Sequence, residues 1–191
     1  MTLPPDTRTQ ILDIAERLLQ QRGFNAFSYQ DIATELGIRK ASLHYHFPSK
    51  ADLGAALAER HANRALGALQ GVDDLNLSVW QQLDAFFKPF IDLANSCELM
   101  CVGGILASEY STLPAPMQDR MNEFFTIIHT WLTRVLSQGR DSGQLFFGAE
   151  PSVKADAIIA TLEGSILLAK TRKDAAFIQP LIQDIKASLG G

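Results

Sequence analysis

Residues 28–50 constrain the fold most strongly, because they contain two short helical patterns separated by one tight turn. In the first pattern, Ser28 stands three residues before Asp31, which is close to a capping box, and Gly37 supplies the stop. The second pattern covers residues 40–46. Two short helices joined by a glycine-containing turn predict a helix-turn-helix, whose second helix suits the major groove of DNA.

The second pattern carries the kinds of side chain that DNA recognition requires. No acidic residue lies between Gly37 and Lys50, and cations alternate there with neutral hydrogen-bond donors. Such a mixture binds phosphate oxygens and base edges. We expect Tyr45, Lys50 and the helix start at Ser28 to hold phosphates, and residues 39, 40, 42 and 46 to read base edges. The predicted DNA-binding residues are Ser28, Tyr29, Gln30, Arg39, Lys40, Ala41, Ser42, His44, Tyr45, His46 and Lys50.

The segment from about Thr9 to Leu57 resembles the N-terminal domain of the TetR/AcrR family of bacterial transcriptional regulators. Its most specific part is the run GIRKASLHYHFPSK at residues 37–50. The chain departs from the family at Arg39, where many members have a small polar N-cap, and at His44, where many have tyrosine. After Leu57 the chain is similar only to the family's general plan. That plan implies an all-helical domain that binds a small-molecule inducer and dimerises.

Composition excludes several classes of protein. The chain has 191 residues, of which 47% are hydrophobic and 20% are charged, as in a globular protein of one or two domains. It has neither a long uncharged apolar run nor a secretory signal, and its two cysteines favour a reducing compartment, so we expect a cytoplasmic protein. The net charge of −4 disfavours nucleic-acid binding, but the acidic excess lies after residue 64.

Hydrophobic periodicity predicts helices along the whole chain and no strand. The expected helices after the first three cover residues 50–70, 75–95, 117–139, 153–171 and 174–189, and one helix covers residues 8–22 before them. Gly71 is expected to form a joint, and Pro89 to kink or interrupt its helix. The predicted fold class is all-α, with a three-helix helix-turn-helix head at residues 1–50 and a helical-bundle ligand and dimerisation domain at residues 51–191. Residues 50–70 form the connecting helix.

Helices 117–139 and 153–171 carry apolar residues on more than one side. Helices of this kind are buried, here partly by a second subunit, so we predict a homodimer through these two helices. The family resemblance implies the same four-helix arrangement. Two such subunits would bind a palindromic operator.

The central part of the chain is rich in aromatic residues, and most of these are expected in the core. Pro89 and the glycine pair at residues 103–104 predict imperfect packing that leaves a cavity. The predicted ligand-binding residues are Phe86, Phe90, Cys101, Ile105, Phe125 and His129. The sequence therefore favours a ligand-responsive regulator, a repressor that a small-molecule inducer releases from its operator.

Other functions stay open at this point. A redox or electrophile sensor would use Cys97 or Cys101, provided that the thiol is activated, and Glu98 opposes this. A helical small-molecule-binding protein without a DNA function is a second alternative, and a small enzyme using His129 and Glu109 is a third. No metal site and no cofactor are expected, since histidine spacing does not suit a metal and no catalytic motif occurs.

Overall fold

The computed structural model describes residues 6–96 and 98–190, which form nine α-helices, two short 3₁₀ helices and no strand. This confirms the all-α class. The 3₁₀ helices are Tyr110–Thr112 and Ala175–Phe177. The α-helices are α1 (Thr7–Arg22), α2 (Tyr29–Leu36), α3 (Lys40–His46), α4 (Lys50–Asp74), α5 (Val79–Ser96), α6 (Val102–Ser108), α7 (Ala115–Asp141), α8 (Pro151–Arg172) and α9 (Ile178–Ala187).

Local capping sets the bounds of the first two helices. The side chain of Asp6 accepts a hydrogen bond from the amide of Thr9 at 2.7 Å and starts α1. Gly23 and Gly37 follow α1 and α2 with φ angles of 91° and 68°, which favour glycine. The apolar faces of the three helices close one core. That core includes Ile11, Leu19, Phe24, Phe27, Ile32, Leu43 and Phe47, all of them buried.

The described residues divide into two compact units. Unit 1 contains the described residues up to Asn63 together with Val102–Glu123, and unit 2 contains the remaining described residues. Helix α6 joins unit 1 because it packs against α1. Helices α4 and α7 each contribute one end to each unit. The head therefore includes a segment that lies far away in sequence.

One expected break is wrong, and the second is not an interruption of its helix. Gly71 lies inside α4, which continues to Asp74, so the expected joint after residue 70 is absent. One glycine costs a helix about 1 kcal/mol, which a long helix tolerates. Helix α5 runs through Pro89 without interruption, and it begins at Val79 rather than at residue 75. A side-chain cap sets this start, since Gln81 accepts hydrogen bonds from the amide and the hydroxyl of Ser78.

Within unit 2, α8 packs against α5 and α9. Helix α8 begins with Pro151 at its first position, where proline is well tolerated. Its buried face contains Ala155, Ile158, Ile159, Leu162, Ile166 and Ala169. Its opposite face is also apolar, because Val153, Leu167 and Leu168 are exposed there.

Candidate nucleic-acid interface

The outward side of α3 gathers most of the predicted DNA-binding residues. Leu43 is fully buried and anchors α3 to the head, whereas the large ring of Tyr45 is 85% exposed. The ring centroids of Tyr45 and His46 lie 5.1 Å apart in an edge-on arrangement. We call this surface the α3 face. Its exposed members are Arg39, Lys40, Ala41, Ser42, His44 and Tyr45, and His46 at its edge is half-buried.

Ion pairing concentrates positive charge on the α3 face. Within the described residues, Arg39 and Lys40 form no ion pair, whereas four arginines elsewhere in unit 1 are paired with carboxylates. Those pairs are Arg17 with Glu35, Arg22 with Asp31, Arg60 with Asp13, and Arg120 with Glu123. A surface with unpaired cations and neutral donors is suited to a polyanion such as DNA.

The start of α2 lies exposed in the same unit. Ser28 and Gln30 are both exposed there. The carboxylate of Asp31 accepts hydrogen bonds from the amide and the hydroxyl of Ser28, at 2.7 Å and 2.6 Å. These bonds hold the pKa of Asp31 below its usual value. The first turn of α2 is therefore fixed by its own side chains.

Tyr29 does not belong to the exposed set. Its ring is buried, and its hydroxyl lies 2.8 Å from the carbonyl oxygen of Phe47 and 2.5 Å from that of Ser49. Burial raises the pKa of Tyr29 to about 12. The expectation that this side chain contacts DNA is corrected: it holds the end of α3 in place. His44 stays exposed, with Nδ1 3.0 Å from the carbonyl oxygen of Pro48.

Lys50 also turns inward. Its ammonium group donates a hydrogen bond to the carbonyl oxygen of Phe27 and lies 4.7 Å from the ring centroids of Phe24 and Phe27. Burial lowers the pKa of Lys50, and the charges of Glu109 and Asp31 oppose that shift. The ammonium group therefore closes the turn between α1 and α2, which favours a supporting role for Lys50 over the expected phosphate contact.

The predicted ligand-binding residues divide between the two units, and their observed contacts lie within each unit. Phe86 stacks on Trp131 with a centroid separation of 5.7 Å and contacts Phe90 at 5.7 Å. Phe125 packs against Phe124 on α7. His129 reaches α8 instead, where its Nε2 lies 3.3 Å from the carbonyl oxygen of Ser152. Ile105 belongs to unit 1, whereas the aromatic cluster belongs to unit 2.

Of the two candidate sensor cysteines, the structure describes Cys101. Cys97 lies outside the described residues, and α6 begins at Val102, so Cys101 precedes the helix. Cys101 hydrogen-bonds to the carboxyl group of Glu163. A carboxylate beside a thiol disfavours the negatively charged thiolate that an oxidant or electrophile sensor needs.

Two protein-family models match the chain. Residues 11–57 match the bacterial regulatory proteins of the tetR family, and residues 80–185 match the tetracyclin repressor-like C-terminal domain. The chain belongs to the TetR family. It is thus a helix-turn-helix transcriptional regulator and not an enzyme.

Individual TetR-family proteins are similar over nearly the whole chain. A TetR transcriptional regulator from Legionella pneumophila is 35% identical, with a TM-score of 0.89 over 98% of this chain and 100% of that one. A TetR-family regulator from Agrobacterium tumefaciens is 32% identical, with a TM-score of 0.86 over 93% and 96%. The HTH-type transcriptional repressor DhaR of Mycobacterium sp. (strain GP1) is 21% identical over 172 residues, which are 87% of this chain and 84% of that protein.

Two kinds of feature are absent from the described part of this TetR-family chain. No helix within residues 6–96 and 98–190 is long and apolar enough to cross a membrane. The same residues contain no cluster of three or more histidine, cysteine or acidic side chains with the geometry of a metal site.

A contact of Glu109 in this TetR-family head was not predicted. Its Oε2 accepts hydrogen bonds from the amides of Phe24 and Asn25, at 2.8 Å and 3.3 Å, and the side-chain amide of Asn25 donates to Thr112 Oγ1 at 2.8 Å. Gly23 is needed for this approach, because an added Cβ would lie 2.5 Å from Glu109 Oε1. The carboxylate binds a turn some 85 residues away in sequence, and no local pattern indicates such a contact.

Proposed function

We propose that this chain is a homodimeric repressor that binds a palindromic operator through the α3 face and is released by a small-molecule inducer. The observation that carries the proposal is the α3 face itself, where Arg39 and Lys40 stand exposed without ion pairs beside the exposed ring of Tyr45. The similarity to the repressor DhaR supports repression rather than activation. A protein with this role would work in the cytoplasm, where the DNA lies.

The roles within the α3 face follow from side-chain chemistry. Arginine and lysine form bidentate contacts with guanine. Serine can donate a hydrogen bond to a base edge or to a phosphate. We assign Arg39, Lys40, Ser42 and His46 to base edges. Tyr45 donates its hydroxyl to a phosphate, as do the amides at the start of α2. Tyr29 and Lys50 position these groups from within the head and do not touch DNA.

Dimerisation is assigned to the exposed apolar side of α8, with α7 beside it. Leu167 is 47% exposed and Leu168 is 44% exposed. Val153 is exposed on the same side of α8, near its first turn. Ala157 and Ala160 are exposed between them, and an added Cβ at Gly164 would meet nothing within 4 Å. Small residues between large ones allow a second helix to approach closely. A second copy of this chain is the partner that would pair two α3 faces about 34–36 Å apart.

Release would be a shift between two arrangements of this dimer. The last turn of α4 is tied to the aromatic cluster of unit 2, because the carboxylate of Asp73 accepts from Trp131 Nε1 at 2.9 Å and from Arg134 Nη2 at 2.7 Å. A ligand that displaces the ring of Trp131 or Phe86 therefore acts on α4, which continues into unit 1. The loss of operator affinity equals the ligand's preference for the released arrangement.

The test is binding of the purified chain to the DNA upstream of its own gene, measured by fluorescence anisotropy over a series of salt concentrations. We expect Arg39→Ala to cost about 1–3 kcal/mol on the specific site and to relax its sequence preference. Lys173→Ala is the matched control, since this exposed cation lies in unit 2. Equal binding by both variants, or equal binding of operator and random DNA by the wild type, contradicts the proposal.

A further inference from the structure

Glu163 on α8 has a carboxyl group that takes no part in the proposed DNA binding or in the proposed dimerisation. Its Oε1 is shielded from solvent and has no hydrogen-bond partner within residues 6–96 and 98–190. On the same helix, Ile159 and Ile166 one turn away and the adjacent Leu162 are apolar and buried. An unpaired, buried carboxyl oxygen is costly, and native proteins keep few of them.

Position separates this group from the dimer surface. Oε1 is already shielded within a single chain, so a second copy on the exposed side of α8 is not required to bury it. The carboxyl group of Glu163 also has a polar neighbour, since Cys101 hydrogen-bonds to it. Burial raises the pKa of Glu163, and the bond from Cys101 opposes that shift. In the absence of a ligand, Glu163 therefore keeps its proton up to a higher pH than an ordinary glutamate does.

Within the described part of the chain, Oε1 of Glu163 lacks a hydrogen-bond donor. A positively charged donor would stabilise this oxygen more than a neutral donor would. A buried carboxylate is stable only when it is paired, and charge-assisted hydrogen bonds are about twice as strong as neutral ones. An anionic ligand would meet repulsion from the ionised acid. A perturbed acid in an apolar setting is a recurrent mark of a functional site.

We propose that Glu163, with Cys101 beside it, is the polar anchor of the ligand site in unit 2, and that the ligand is an apolar molecule carrying a protonated amine that pairs with Oε1. This inference rests on the proposed function, because it identifies the inducer class of the same regulator. On binding, those carboxyl groups that are still protonated release their proton to solvent, and the carboxylate pairs with the ammonium group. The apolar remainder of the ligand packs among the hydrophobic side chains of unit 2.

The test uses three probes that share one skeleton: 4-phenylbutylamine, 4-phenylbutanol and 4-phenylbutyrate. Isothermal titration of the full-length wild type should give roughly 10- to 100-fold tighter binding of the amine than of the alcohol, with the carboxylate weakest. Amine binding should also release a proton, seen as a heat that changes between two buffers of different ionisation enthalpy. Glu163→Gln should remove both the preference and the proton release. Asp184→Asn, which removes an exposed carboxylate of unit 2, should retain both.

Three outcomes overturn the inference: failure of the wild type to bind the amine, equal binding of amine and alcohol, or retention of the preference by Glu163→Gln. A purely structural carboxyl group is excluded by a separate measurement on Glu163→Leu. If the group serves a ligand, this apolar variant should unfold at the same temperature as the wild type or higher. A lower unfolding temperature together with unchanged amine binding overturns the assignment.

Operator binding separates this inference from the proposed function. Without probe, Glu163→Gln should bind operator DNA as the wild type does. A wild type that shows the amine preference but binds no operator would refute the repressor proposal and leave the ligand class standing. A wild type that binds operator but shows no amine preference would refute the ligand class and leave the repressor proposal standing.

Discussion

The variant Lys50→Met tests whether Lys50 supports the head from inside or contacts the DNA backbone. In the folded head, the ammonium group donates to the carbonyl oxygen of Phe27 and lies 4.7 Å from the ring centroids of Phe24 and Phe27. Methionine keeps most of the apolar stem and removes both the charge and the donor. The variant therefore deletes these contacts without opening a large cavity.

The expected loss follows from the contacts themselves. A hydrogen bond to a charged group contributes about 1.5–3 kcal/mol, and each cation–π contact about 0.5–1 kcal/mol. The ammonium group no longer has to be desolvated, which offsets part of the loss, so we expect a net loss of about 2 kcal/mol. In a domain of this size, that corresponds to a melting temperature lower by roughly 4–8 °C.

Thermal unfolding by circular dichroism and operator binding over a salt series measure the two expectations together. Lys50→Met should be less stable with an unchanged salt slope, since the cation contacts no phosphate. The matched control is Lys40→Met, which removes an exposed cation of the α3 face. It should leave stability unchanged and, where Lys40 also meets a phosphate, flatten the slope by about 0.9. A flatter slope with unchanged stability in Lys50→Met would refute the inward role of Lys50.

Four further outcomes are expected. Glu109→Ala leaves two amides unpaired and should lower stability by roughly 1–3 kcal/mol in urea unfolding, whereas Glu109→Gln keeps an acceptor and should recover most of this loss. Tyr29→Phe removes the hydroxyl that bonds the end of α3, and about 1 kcal/mol of stability should go with it. Leu168→Glu should convert the dimer into monomers in analytical ultracentrifugation, and a persistent dimer contradicts the α8 assignment. Folded Glu163 holds its proton more tightly than the unfolded chain does, so its contribution to stability is fully present below the unfolded pKa of about 4.5 and is lost as pH rises through the folded pKa. Unfolding midpoints compared across pH should show this loss in the wild type and not in Glu163→Gln.

The predictable part of the fold is the part that neighbouring residues decide. The bounds of α1 to α3 agree with the sequence to within one residue, and for α1 and α2 they are set by caps and glycines next to the helix. The HTH head could be recognised for the same reason. Gly71 was misread, since a glycine in a long helix carries the same local signal as one that ends it.

Side-chain direction depends on partners that are distant in sequence. Lys50 belongs to a run of cations and donors, and only its bond to Phe27, 23 residues away, shows that it faces inward. Tyr29 bonds carbonyl groups 18 and 20 residues away. A motif therefore identifies which residues lie near DNA but does not separate those that touch it from those that support it. Glu163 is a related case, because a lone acid on an apolar helix gives no indication that its oxygen is unpaired.

The three points where the chain passes between the units connect the proposed ligand anchor with the head. Helices α4 and α7 pass continuously, and the third passage is the peptide bond between Cys101 and Val102. Cys101 is the hydrogen-bond partner of Glu163, and α6 begins at the next residue. The residue that follows α6 is Glu109, whose carboxylate holds the turn between α1 and α2. If a ligand ionises Glu163 as proposed, the bond to Cys101 changes, and we expect the effect to pass along the chain into α6 as well as into α4. Coupling through both routes requires only that the ligand prefer one arrangement of this segment over the other.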